Sequence, residues 1–418
     1  MYARNRGSNM PPPTPSTRLD RTTQVENQVV ARLAKEGNRK RRRARPSRAN
    51  KENSAPSSDS EVSDSEKEQT YQAYGRYLAR VIDFSQIIDH IIETGIKYEL
   101  EDDGSDGNGS GDENENGERI VKTSTRRQLE DWNTICNKIA GFKEMIMTLA
   151  ARRPVRHTLA RHLTNGVEAA CCDDRAALKS SLPTFILLDT KKTLDPAIAT
   201  SGNKSDRGFH HPITAALLCP ISLPATDETF KNVQDGHIVI NAKQLPRFLY
   251  PHDRTDTCGI SDRVFEGYLM IRVAKFILIG RSCATSKPGA STGRRGNAAL
   301  AEINSITPRV VAYIAVQLHF ALSSQSTWGL RDKGLFDYHK FYWNIVSFFE
   351  ADKCGGQDIL EYYNYHLWGD KAGRSSSATN VNGDDADSDD GDDGFALLVD
   401  ERAAKRARAA AAAADPFA

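Results

Sequence analysis

The sequence predicts a mainly α protein: one helical globular domain with irregular, proline-rich connections, flanked by charged disordered tails. Three observations lead there. Apolar residues recur at helical spacing in most of the segments able to form a core. No βαβ alternation and no internal repeat is visible. Charge is laid out in blocks that cannot bury themselves, although the formal net charge of the 418 residues is only +1.

The blocks set the boundaries. Residues 1–50 carry 13 Lys/Arg against 3 Asp/Glu. Residues 101–118 carry 8 acids and no base, and residues 384–393 carry 7 aspartates and no base. The expected organisation is therefore a basic and then Ser/acidic disordered tail over 1–67, a helix over 68–100, and an acidic disordered linker over 101–118. A helical globular domain over 119–369 follows, and then an acidic disordered tail over 370–418 holding a short Ala/Arg helix.

Thr23 and Glu26 form a capping-box pair ahead of Val25, Val29 and Leu33, a short helix that Pro46 stops. Tyr71–Leu100 reads as one helix, with Leu78, Val81, Ile82, Ile88, Ile91 and Ile92 on its apolar side. Leu129, Trp132, Cys136, Ile139, Phe142, Ile146 and Leu149 make a narrow stripe about three heptads long. Its plain use is packing inside the domain; the sharper reading is self-association through a coiled coil.

Val155–Leu182 continues as helix. Residues 183–262 are irregular, with Pro212, Pro220, Pro224, Pro246 and Pro251 among them and one strand candidate, His237–Ile240. Ser261–Ile279 reads as a buried helix. Thr307-Pro308 is an N-cap followed by a proline suited to the first helical position. Asp337 caps a further helix that Gly355-Gly356 should end, and Asp358–Trp368 makes a last aromatic helix.

Seven cysteines at irregular spacing, with no C-x-x-C, argue for reduced thiols and against a disulfide framework or zinc ribbon. The N-terminus has no apolar leader, and the most apolar stretches fall short of the ~20 residues a membrane span needs. A soluble protein without membrane contact is expected.

The segments DDRAALK (173–179), RGFHHPITAALLCP (207–220), LPRFLY (245–250), RRGNA (294–298), ITPRVVAYIAVQLHFALSS (306–324) and FYWNIVSFFE (341–350) occur in that order. Together they resemble a family of uncharacterised proteins from mushroom-forming (basidiomycete) fungi, classed as a domain of unknown function, over roughly 150–368. The resemblance implies a fungal origin and a multi-copy lineage associated with mobile elements. It implies no activity. The chain departs from the family at Tyr362-Tyr363, where paired tryptophans are usual, and at Trp328-Gly329, where a Ser/Thr-rich turn is usual.

The functional expectation rests on Arg39, Lys40, Arg41, Arg42, Arg43 and Arg45. Guanidiniums stay charged and match carboxylate or phosphate oxygens in a fork. Such a run serves a nuclear import carrier when extended and neutralises phosphates when laid on nucleic acid. Lys405-Arg406-Ala407-Arg408 is a weaker second copy. Ser58, Ser63 and Ser65, each with a glutamate three residues on, are candidate phosphorylation sites whose added charge would mask the basic run.

Arg294 and Arg295, in a Gly-rich loop between apolar helices, are a candidate anion site, although the loop matches no phosphate-binding fingerprint. His210, His211 and Cys219 are the nearest approach to a metal cluster, and packing is the plainer use of them. Asp173-Asp174 suit a helix start better than a catalytic carboxylate pair. Cys171-Cys172 read as neighbouring helix residues, one buried and one less so.

No catalytic motif is present, and no cofactor or metal is called for. The expected protein is nuclear and non-catalytic, a binding or interaction protein, with nucleic acid as one partner. The alternatives are a degenerate or accessory mobile-element enzyme of recombinase or nuclease type, and a scaffold that homo-oligomerises through Leu129–Leu149.

Overall fold

The computed structural model describes residues 64–102, 122–254, 258–290, 296–330, 336–374, 401 and 404–405. All of them lie in one compact unit. Twelve α-helices are found among these residues and no strand; the one β-bridge joins Pro220 and Pro246. The mainly α, single-domain expectation holds for them. The tails and the acidic linker fall largely outside the described residues.

The centre is α10 (Pro308–Leu322). Thr307 caps it by accepting a hydrogen bond from the Val310 amide at 3.4 Å, and Pro308 occupies the first turn. Every side chain from Val310 to Leu322 is buried, so the helix is enclosed on all faces. Around it pack α5 (Arg153–Ser181), α6 (Pro212–Leu218), α8 (Tyr268–Leu278) and α11 (Tyr338–Ala351). Asp337 caps α11 through the Lys340 amide at 2.8 Å, as its sequence suggests.

Four helices precede α5: α1 (Asp64–Leu78), α2 (Ile88–Asp102), α3 (Thr123–Lys138) and α4 (Phe142–Thr148). The single helix expected over Tyr71–Leu100 is thus two. Asp83 breaks it: its Oδ1 accepts from the Ser85 amide at 2.9 Å and the Ser85 hydroxyl at 2.6 Å, an Asx-type turn that competes with helix. These helices are not a tether outside the domain, because α1 lies along α5 and α2 packs on α3 and α5.

The Leu129–Leu149 stripe is also interrupted. Gly141 takes a left-handed conformation (φ 69°) between α3 and α4, which breaks the stripe into two helices. Trp132, Ile135, Ile139, Phe142 and Ile146 are buried in the main core. No continuous three-heptad face is left for a coiled coil.

His237–Ile240 forms no strand. The amides of His237 and Ile238 both return to the Asn232 carbonyl at the end of α7 (Asp227–Gln234), and Val239 is 70% exposed. Ser261–Ile279 is helical only from Tyr268, after a turn with Arg263 and Phe265 at positive φ. The two cations on the helix itself serve as carbonyl clamps. Arg272 donates to the Phe185 and Leu188 carbonyls at 2.7 Å each, and Lys275 to Ser286 at 2.7 Å.

Gly355-Gly356 does not end α11. The helix stops at Ala351, and Asp352 caps α12 (Lys353–Trp368) through the Gly355 amide at 2.9 Å. Gly356 sits where a Cβ would lie 2.9 Å from the Phe349 ring, so the glycine admits the aromatic neighbour. The remaining short helix is α9 (Asn297–Leu300). No helix among the described residues is long and apolar enough to cross a membrane.

Candidate functional site

The most concentrated chemistry in the fold is a seam of buried charge where α1–α3 meet α5, α10 and α11. It begins at Arg80, just past the end of α1. One guanidinium nitrogen bonds both oxygens of Asp174 at 2.9 and 2.8 Å, and the other bonds the Arg76 carbonyl at 2.8 Å. Tyr313 of α10 donates to Asp174 Oδ2 at 2.8 Å. Arg80, Asp174 and Tyr313 are all buried. Burial opposes the Arg80 charge, but Asp174 and Tyr313 outweigh it and hold the guanidinium above its ordinary range. Burial, then Asp174, pushes the Tyr313 phenol well above 10.

Asp173-Asp174 therefore do not start a helix. They lie in the last third of α5, where Asp174 anchors Arg80 and Asp173 meets Arg76 at 2.9 Å. Their neighbour Cys171 is buried and its thiol is pushed up to about 11, chiefly by burial, which leaves it protonated and unreactive. Cys172 is exposed, so the pair divides as its helix register requires.

A second cluster continues the seam. Asp83 accepts from Trp343 Nε1 of α11 at 2.9 Å, and Tyr342 donates to the Ile82 carbonyl at 3.3 Å. Arg309 of α10 ion-pairs with Asp131, and with Glu130 at 2.9 Å. Arg127 lies 4.1 Å over the Trp343 ring and bonds Glu350 at 2.7 Å. Asp131 is 1% exposed, and its Oδ2 has no hydrogen-bond partner. Burial pushes its carboxyl up to about 7, against the pull of Arg309 and with the help of Asp83 and Glu130. Arg309 is held above its ordinary range by Asp131, Tyr342 and Glu130 despite its burial.

A third group closes the C-terminal ends of α5 and α10. Arg207 donates to the carbonyls of Ala321 (2.9 Å), Lys179 (2.6 Å) and Ala199 (3.0 Å). Lys204 donates to the Phe320 carbonyl and sits 3.4 Å above the Phe320 ring. Cations belong at helix C-termini, where carbonyls are unsatisfied. Burial, with Arg207, Lys179 and Arg175 adding repulsion, lowers the Lys204 amine to about 7. Burial and Lys204 together press His319 down to about 3, a neutral ring stacked on Phe336 at 3.8 Å.

Most of the residues singled out from sequence lie outside the described part of the chain. Arg39, Lys40, Arg41, Arg42, Arg43, Arg45, Ser58, Ser63, Arg294 and Arg295 lie outside the described residues, and Ser65 falls in the first turn of α1. The described start of the Gly-rich loop borders a cavity of about 320 Å³ shared with Trp368 and Arg374. His211 is the N-cap of α6, with Nδ1 accepting from the Ile213 amide at 3.1 Å and Nε2 2.7 Å from the Pro196 carbonyl. Both of its nitrogens are engaged. Cys219 is buried beside Phe230 in a small satellite cluster, its thiol raised by burial. Among the described residues no group of three His, Cys, Asp or Glu side chains is placed to hold a metal ion.

The seam itself was missed by sequence reading. Arg80, Asp83, Asp131 and Arg309 each stand one residue beside an apolar position of a helical stripe. A charged residue next to an apolar one is the ordinary signature of a solvated edge, so nothing local marks these as interior. What the seam does is mechanical and electrostatic. Its charges are spent on one another and on backbone carbonyls, and they fasten the early helices to the central ones.

Residues 165–368 match the model of a family of unknown function, DUF6698. The match covers Asp174, Arg309, Tyr313 and Trp343 but not Arg80, Asp83 or Asp131, so the seam joins the matched body to the helices before it. No curated protein and no solved structure matches the chain.

Proposed function

We propose that the chain is a nuclear, non-catalytic interaction protein whose helical body serves as a rigid platform for its charged segments. One observation carries the reading: six cations stand in the seven residues from Arg39 to Arg45, five of them arginines. A run of that density is an address for an import carrier and a phosphate-neutralising strip for nucleic acid. Support comes also from the body, where the buried ionisable groups are consumed in the contacts that hold helices together. The reading extends to a fungal origin and a link with mobile elements, on the resemblance of the middle segments.

The test is a fluorescently tagged full-length chain with and without residues 39–45. Loss of nuclear accumulation on deletion is the expected result, and unchanged accumulation removes the import role. Binding to generic duplex DNA should weaken steeply between 50 and 200 mM salt in the intact chain and lose most of that slope in the deletion. A flat response to salt in the intact chain removes nucleic acid as a partner.

A further inference from the structure

The turn at 258–266 is built unlike its surroundings. Arg263 and Phe265 hold positive φ of 56° and 66° without being glycine. Phe265 is fully buried and its carbonyl accepts from Tyr363 at 2.9 Å, which fixes the turn to α12. The outer edge of the turn is acidic: Asp253 and Glu266 flank Arg263 at 3.3 and 3.0 Å, and Asp262 closes a ring onto the Gly259 amide at 2.8 Å. The Ser261 amide does not join this ring. It donates instead to Glu401 Oε2 at 3.0 Å, far along the chain. Four residues later, Lys405 ion-pairs with Asp262.

Two further features fit the turn to this visitor. A Cβ on Gly259 would lie 1.7 Å from Glu401 Oε1, so the glycine is the space that the carboxylate fills. Ser261 is 2% exposed, and its hydroxyl has no partner, standing on the residue whose amide grips Glu401. A buried unsatisfied hydroxyl beside a carboxylate is a donor in reserve. Lys405 in turn holds Asp262 below the ordinary carboxylate range, chiefly through their hydrogen bond.

We infer that the turn 258–266 is a docking surface for the chain's own C-terminal segment, which it reads as a Glu-x-x-x-Lys pair, Glu401 to the Ser261 amide and Lys405 to Asp262. The grip is reversible. Lys405 is 63% exposed, and an ion pair that open to water is weak and screened by salt. Docking neutralises Lys405, the first residue of Lys405-Arg406-Ala407-Arg408, so the docked form withholds that charge from outside polyanions. This last consequence rests on the polyanion-binding role proposed above; the docking itself does not.

Amide hydrogen exchange at Ser261 in the full-length chain tests the docking directly. Glu401→Ala and Lys405→Glu should each speed exchange on the order of tenfold, and 0.5 M salt should do the same to the unaltered chain. Gly259→Ala removes no charge and leaves Glu401 and Lys405 themselves unaltered, yet its methyl group would evict Glu401, so it should match Glu401→Ala. A synthetic peptide of residues 397–414 should restore protection to the Glu401→Ala chain, and the same peptide carrying Glu401→Ala should not. Exchange at Ser261 that is unaltered by Glu401→Ala overturns the inference. Protection that disappears on dilution overturns it as well, since the occupant would then be a second copy. None of these readings depends on whether the chain enters the nucleus or binds DNA.

Discussion

Gly75 of α1 and Gly166 of α5 face each other so closely that a Cβ on Gly75 would lie 2.1 Å from the Leu163 carbonyl oxygen and 2.9 Å from the Gly166 Cα. The reverse holds too: a Cβ on Gly166 would lie 2.2 Å from the Gln72 carbonyl oxygen. The helices run parallel, because contacts climb both chains together, from Glu68 with His162 to Arg76 with Asp173. Glycine inside a helix costs ~1 kcal/mol relative to alanine. Here that cost is offset by backbone-to-backbone contact that no larger residue permits.

Gly75→Ala or Gly166→Ala should therefore destabilise the fold despite the better helix propensity of alanine. Pushing the two backbones apart should cost about 1–3 kcal/mol, the usual range for overpacking. It should also loosen the Arg80–Asp174 pair at the end of the same helix contact. Urea denaturation of each variant measures the effect, and a gain in stability would show that the helices separate without loss.

The Arg80–Asp174–Tyr313 group predicts strong non-additivity. Arg80→Met alone leaves Asp174 charged and buried and should cost ~3–5 kcal/mol; Asp174→Leu alone strands the guanidinium to similar effect. Changing Arg80 to Met, Asp174 to Leu and Tyr313 to Phe together removes every polar atom of the group. The triple variant should recover most of the loss. A full set of denaturation curves on the single and triple variants separates the coupling from the sum.

Asp131 predicts a pH dependence with a definite sign. Its carboxyl titrates near 4 when unfolded and is pushed up to about 7 when folded, so the folded state binds the proton more tightly. The stabilisation from that proton is complete below pH 4 and is lost as pH rises through about 7. The groups facing it are Arg309, which stays charged, and Asp83 and Glu130, which favour its protonated form. Asp131→Asn keeps the shape without the titration. Denaturation midpoints at pH 5 and pH 8 should lie closer together in the variant than in the original chain; an unchanged gap would assign the effect elsewhere.

Much of the α10–α11 region is legible in the sequence. Thr307-Pro308 and Asp337 are local capping signals, and the periodicity of Val311, Ile314, Ala315 and Leu318 needs no tertiary context to announce a helix. The breaks are less legible. Asp83 ends a helical pattern by a side-chain turn, Gly141 by a left-handed backbone, and Asp352 by a cap that lets two glycines continue as helix. Each is a local contest whose outcome depends on what the flanking residues pack against.

The sequence alone determines that this is a helical protein with a core built from its middle two-thirds, and that its charge is carried in blocks. Both are properties of composition and spacing, which any fold of the chain must respect. Which charged residues go inside is decided only in three dimensions. Arg80, Asp83, Asp131, Asp174, Lys204 and Arg207 become interior because partners more than 90 residues away, or carbonyls at the ends of other helices, supply the interactions that water would otherwise give. Burial of a charge is a property of its neighbours, and the neighbours are chosen by packing.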